Sequence, residues 1–156
     1  MIRALILATT MTSALAAAAM AAEDFPTGWY LETFDNSGIT DIALYWHDVT
    51  LGHQSFTITC TENYADVVIT AYATKPETDP TTVTVTDGTL RHDMDAISGE
   101  VGGLWSSGGI TSFTPELMEI LSGQFTVLLD DAEQGRYSAK GAAEKFQKLF
   151  EGCVAG

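Results

Sequence analysis

The chain has 156 residues, and its 21 Asp and Glu against 7 Lys and Arg give a net charge of −14 at pH 7. Phosphate backbones and anionic bilayers reward clustered Lys and Arg, so a field of this sign excludes nucleic acid as a partner and favours a basic protein. The two cysteines make no Cys-x-x-Cys or Cys/His spacing, so neither a redox or zinc centre nor any cofactor is expected.

In chain order, residues 1–22 carry one cation, Arg3, and then an uncharged Ala-rich run ending in small residues. This is the pattern of a secretory signal, with Ala19, Ala21 and Ala22 supplying the small side chains that signal peptidase requires, and the cut falls after Ala21 or Ala22. The run is short and Glu23 and Asp24 follow at once, which argues against a membrane anchor; no later segment is long and uncharged enough to span a bilayer. The expected product is one exported globular domain, 23–156, periplasmic or secreted. Its charge becomes −15, because Arg3 leaves with the signal and six cations then face 21 carboxylates.

Residues 28–34 and 42–46 read as strands around the turn residues Asp35 to Gly38, with Ile42, Leu44 and Trp46 on one face and His47 on the other. Residues 55–61 and 67–72 add two more, rich in the Val, Ile, Thr and Tyr that suit a pleated surface. A Pro-marked loop at 75–80 follows. Segments 82–86 and 89–92 flank Asp87-Gly88, a dipeptide suited to a two-residue type I′ turn. The Gly- and Ser-rich stretch 98–109 reads as a loop or a broken strand that packs Trp105 inward, with Ser106 to Gly109 as a turn. Thr114 and Pro115 open a short helix that Gly123 ends. Segments 125–129 and 136–139 form a hairpin around the acidic stretch 130–135, and a last helix covers 142–151. About eight strands and two helices define a mainly β, α+β fold: an antiparallel β-sandwich or strongly twisted sheet carrying a short helix and a C-terminal helix.

Alternation in 55–61 points Phe56, Ile58 and Cys60 to one buried face, and helical spacing puts Cys153 on the apolar stripe with Phe146, Leu149 and Phe150. Both sulfurs face the core in a chain bound for an oxidising compartment, so a Cys60–Cys153 disulfide is expected.

Chemistry has little material. No Gly-x-Ser-x-Gly elbow and no phosphate-binding Gly loop occurs. The run His92-Asp93-Met94-Asp95 lacks the ligand count and Gly turn of a calcium loop, and Asp130, Asp131 and Glu133 read as a solvated hairpin rather than a carboxylate pair for glycoside hydrolysis. No catalytic or metal residue is assigned. A binding role is left, with Trp29, Tyr30, Tyr45, Tyr64 and Tyr72 as aromatic anchors where a strand shows one side to solvent.

The order of a strand ending at Cys60, a Trp105 segment, a helix over 117–123, a strand over 125–129, and Arg136 to Gly141 leading into a helix that ends at Cys153 resembles the periplasmic accessory proteins of type VI secretion, the VasI type. The resemblance covers about 34–153; Cys60-Thr61-Glu62-Asn63 and 141–153 carry it, while Thr59 stands where the family often has Arg. It is also similar to the invasion-associated locus B family in the closing strand, Gly and helix, though that family typically carries more cysteines. What the resemblance implies is a non-enzymatic envelope protein that assists binding or assembly. The charge also suits an inhibitor of a basic cell-wall hydrolase such as lysozyme, with Gly135-Arg136-Tyr137-Ser138 as its inserting loop. An uncharacterised hydrolase is the third reading.

Overall fold

The computed structural model describes residues 26–62 and 64–154. The secretory signal expected at 1–22, and Asn63, lie outside them. Strands β1 (Gly28–Asn36), β2 (Ile39–Asp48), β3 (His53–Thr61) and β4 (Asp66–Tyr72) come first, then β5 (Thr82–Thr86), β6 (Arg91–Asp95), β7 (Ile97–Val101) and β8 (Leu104–Ser112). Helix α1 (Pro115–Ser122), strands β9 (Gln124–Leu129) and β10 (Ala132–Ser138) and helix α2 (Ala143–Cys153) complete the fold. All pairings are antiparallel. One sheet has the order β1-β2-β3-β4-β8-β7 and the other β10-β9-β5-β6, which is the mainly β, two-sheet architecture expected, with the two helices beside it.

The core lies between the sheets because each strand alternates. Leu44 of β2, Phe56 and Ile58 of β3, and Val67 and Ile69 of β4 turn inward, to meet Val83 and Val85 of β5 and Val127 of β9, all fully buried. At one end an aromatic cluster joins three layers. The Trp29 ring lies 6.1 Å from Phe56 of its own sheet, 6.2 Å and 5.9 Å from Phe125 and Tyr137 of the other, and 4.9 Å from Phe146 of α2. Its indole Nε1 donates to the Ser138 carbonyl at 2.8 Å.

Helix α1 begins as its sequence dictates, with Thr114 Oγ1 accepting from the Leu117 amide and Pro115 at the first helical position. Helix α2 has no side-chain cap and depends on burying Phe146, Leu149 and Cys153. Cys60 and Cys153 form the expected disulfide, with 5.7 Å between Cα atoms.

Three local readings are corrected. The stretch 98–109 belongs to the strands β7 and β8, and its turn is Gly102-Gly103, both left-handed at φ 60° and 82°. Ser106 to Gly109 are strand residues whose small size is required by neighbours: a Cβ on Gly109 would stand 2.4 Å from Met94 Cβ, and one on Gly108 would stand 2.7 Å from the Ile69 carbonyl oxygen. Trp105 does pack inward. The Asp87 hairpin has a four-residue loop, because Thr86 pairs with Arg91 and the Asp87 carboxylate accepts from the Thr89 and Leu90 amides at 2.7 Å. The 130–135 loop is instead a two-residue turn, with Asp130 and Asp131 at φ 45° and 67° and a bulge between Glu133 and Gly135.

Two outcomes follow from this packing. Replacing both cysteines by Ala removes a cross-link spanning 93 residues, and the loss is expected to be about 4–5 kcal/mol in the chain-entropy account, read from urea unfolding of variant and native protein. Gly109→Ala is expected to cost about 1–3 kcal/mol by overpacking against Met94. Gly99→Ala, where nothing lies within 4 Å, should stay within about 0.5 kcal/mol in the same titration.

Candidate functional site

The same alternation that fills the core leaves the other face of the six-stranded sheet without a covering layer among the described residues. Register carries one row of side chains across it: Tyr30, Tyr45, Thr57, Thr70, Gly108 and Ile97. The next row is Glu32, Ala43, Thr59, Val68 and Ile110. Small and hydroxyl residues form a low floor, on which Ile97, Val101 and Ile110 stand more than half exposed at 63%, 59% and 56%, and Val68 at 37%. Two shallow concavities, of about 540 and 200 Å³, share Val68 and Ile110 and so form one continuous depression; the first reaches Phe34 and Tyr64, the second Ile97 and Val101. Contiguous exposed apolar side chains on a sheet face are the mark of an interaction surface.

Charge is sorted between the sheets. The six strands of the large sheet hold six carboxylates, Glu32, Asp35, Asp41, Asp48, Asp66 and Glu100, and not one Lys or Arg. Of these, Glu32, Asp41 and Asp66 share the outer face. The cations lie elsewhere: Arg91 on β6, Arg136 on β10, and Lys145 and Lys148 on α2, with Lys75 and Lys140 in connections. The outer face is therefore apolar where β4, β8 and β7 run side by side, with its three carboxylates in the rows of β1, β2 and β4.

Four of the five aromatic residues expected to serve as anchors lie on or beside this face. Tyr30 and Tyr45 stack at 5.6 Å, with Lys145 Nζ 5.5 Å from the Tyr30 ring centre. The Tyr45 hydroxyl donates to Glu32 at 2.7 Å, and burial together with that carboxylate pushes its pKa up to about 12. Tyr72 accepts from Gln54 Nε2 at 3.3 Å, and Tyr64 is exposed beside Asp66. Trp29 is the correction: it is 5% exposed, inside the aromatic cluster, because its side chain alternates with that of Tyr30 and takes the inward direction. Reading by residue type missed Phe34, Val68, Ile97, Val101 and Ile110. Their signal was strand alternation beside an already filled face, hidden for Val101 by the loop reading of 98–109 and for Ile97 and Ile110 by their place at its two ends.

Asp130, Asp131, Asp93, His92 and Glu133 are committed to contacts within the fold. Asp130 accepts from the Thr81 and Thr82 amides and the Thr81 hydroxyl at 2.9–3.1 Å, tying the β9–β10 turn to the start of β5. Asp131 pairs with Arg91 at 2.8 Å, as does Asp93. In β6 the side chains of His92 and Met94 point opposite to those of Asp93 and Asp95, so the histidine and the aspartates cannot meet one cation; His92 Nε2 lies 2.7 Å from Thr111 Oγ1. Gly135 to Ser138 belong to β10, where Tyr137 is buried and Arg136 is held by Glu133 at 2.8–2.9 Å, so this segment is not an inserting loop.

The molecule is a disulfide-linked, mainly β protein with one apolar, anionic sheet face open. A formed disulfide fits a protein outside the cytoplasm, and no helix among the described residues is long and apolar enough to cross a membrane. Comparison with protein-family models, with curated proteins and with solved structures gave no match.

The Asp130 anchor predicts a pH response. Its hydrogen bonds, first from the Thr81 hydroxyl and then from the two amides, hold its pKa below the ordinary 3.8. A lowered folded-state pKa contributes stability above the ordinary value and loses it as pH falls through the folded one. Asp130→Asn should therefore lower the melting temperature at neutral pH and narrow the gap to the native protein below pH 3.8, measured by thermal unfolding across an acid series.

Proposed function

We propose that this chain is a non-enzymatic exported protein of the cell envelope, a binding or assembly accessory whose outer sheet face docks a basic protein. The observation that carries this reading is the continuous depression around Val68 and Ile110 on a sheet whose strands hold no Lys or Arg. Carboxylates along one side of the face raise the rate of encounter with a cationic partner, and apolar contacts beside them hold the complex once formed. The leader reading of 1–22 and the disulfide support a periplasmic or secreted address. The resemblance to the VasI type supports a secretion-associated role.

The test uses the oxidised mature protein, immobilised, against envelope extract of its own cell, beside the double variant Val68→Lys/Ile110→Lys. A basic envelope component that the native protein retains, that high salt weakens, and that the variant fails to retain is the expected result. Equal retention by both would remove the outer face from the function. If the retained protein is a single basic cell-wall hydrolase whose turnover the native protein suppresses, the inhibitor reading replaces the accessory one.

A further inference from the structure

Each of the two sheets ends in two edge strands, and an unprotected edge offers unpaired N–H and C=O groups to any passing strand. Three of the four edges carry a protection. On β1 the Trp29 carbonyl is taken by Lys145 Nζ. On β10 the Ser138 carbonyl is taken by the Trp29 indole, and a bulge interrupts the strand between Glu133 and Gly135. On β6 the side chains alternate as Arg91, Asp93 and Asp95, with Arg91 paired to Asp93. The fourth edge, β7, is held only from its own partner strand among the described residues: the Gly99 carbonyl accepts from Ser106 Oγ of β8 at 3.5 Å, and no group from the other sheet or from a helix is bonded to it. Its sequence Ile-Ser-Gly-Glu-Val contains no Lys, Pro or bulge, and its pairing with β8 is regular over all five residues.

Its exposed side chains also continue the depression: Ile97 and Val101 project on the same face as Gly108 and Ser106 and line the concavity that holds Val68 and Ile110. Glu100 points to the opposite face and is exposed. We infer that β7 is the docking edge of this protein, where an extended segment of a basic partner adds as a seventh strand with its apolar side chains beside Ile97 and Val101 and its cations toward Glu100. This rests on the binding reading above and gives it a mode: main-chain hydrogen bonds supply affinity, while alternate side chains supply selection. A second copy of the chain fits the edge less well, because it would bring another cation-free sheet with six carboxylates against this one.

The probe is a synthetic peptide of about nine residues alternating valine with lysine and threonine, long enough to cover one strand. Titrated into the oxidised mature protein, it is expected to shift and protect amides of β7 by NMR hydrogen exchange, leaving those of β1, β6 and β10 unchanged. The same peptide N-methylated on every second residue should bind about tenfold more weakly or not at all, because it cannot form the ladder. Ile97→Lys/Val101→Lys should likewise weaken the unmodified peptide by about tenfold, with the fold checked by an unchanged far-UV spectrum and by Val49→Lys as a surface control. Equal binding of the methylated peptide, protection at another edge, or no binding would overturn the proposal. Concentration-dependent dimerisation abolished by the same β7 variant would also overturn it and assign the edge to a second copy. Envelope capture that survives the β7 variant but not Val68→Lys/Ile110→Lys would remove the edge and keep the binding function. Capture lost in neither would remove both.

Discussion

Trp29 holds this fold together at the point where three layers meet. Its ring touches Phe56 from the large sheet, Phe125 and Tyr137 from the small sheet and Phe146 from α2. Its two polar contacts are equally divided: the indole donates to the Ser138 carbonyl of β10, and its own carbonyl accepts from Lys145 of α2. A buried indole needs a partner for its N–H, and here that partner lies on the opposite sheet, so one side chain sets both the distance between the layers and the placing of the last helix. The same contacts occupy one carbonyl on each of the edge strands β1 and β10.

The disulfide acts on the same helix from its other end. Phe146 seats the first half of α2 against the aromatic cluster, and Cys153 ties the last turn to Cys60 in β3. Gly152 allows the close approach that this requires, since a Cβ there would stand 2.2 Å from Ile42 Cδ1 of β2. A helix of 11 residues without a side-chain cap is marginal alone, and docking supplies what its own sequence lacks. With α2 docked beside β1 and β2, its Lys145 is held at the β1 edge, against the Trp29 carbonyl and the Tyr30 ring, three strands from Val68 of β4. Packing in the core thus places this cation at one margin of the outer face.

The large sheet divides its labour between its two faces. Inward residues such as Leu44, Ile58 and Ile69 are fully buried, whereas their outward neighbours are Thr57, Thr59 and Thr70, interrupted by Val68, Ile97, Val101 and Ile110. The hydroxyl floor keeps the face tolerant of water, and the apolar residues stand where β4, β8 and β7 run side by side. Because β8 needs Gly at 108 to fit against Thr70 and the Ile69 carbonyl, the outer floor there is low and the branched side chains beside it stand clear, while Gly109 makes room for Met94 on the inner face.

Periodicity in the sequence by itself determined the mainly β class, the inward set of β2, β3 and β4, the capped start of α1 and the pairing of Cys60 with Cys153, because each follows from the direction of side chains along one local element. Composition likewise determined the anionic character. Tertiary structure alone decided the rest. The run 98–109 looks like a loop by its Gly and Ser content, yet it is a hairpin, because those residues are small in answer to Met94 and Thr70, which reach them from distant parts of the chain. Trp29 and Tyr30 are equivalent by type, and only the approach of the second sheet and α2 made one a core residue and left its neighbour on the surface. The groups that reach the carbonyls of β1 and β10 were placed in the same way, by contacts 116 and 109 residues apart in sequence.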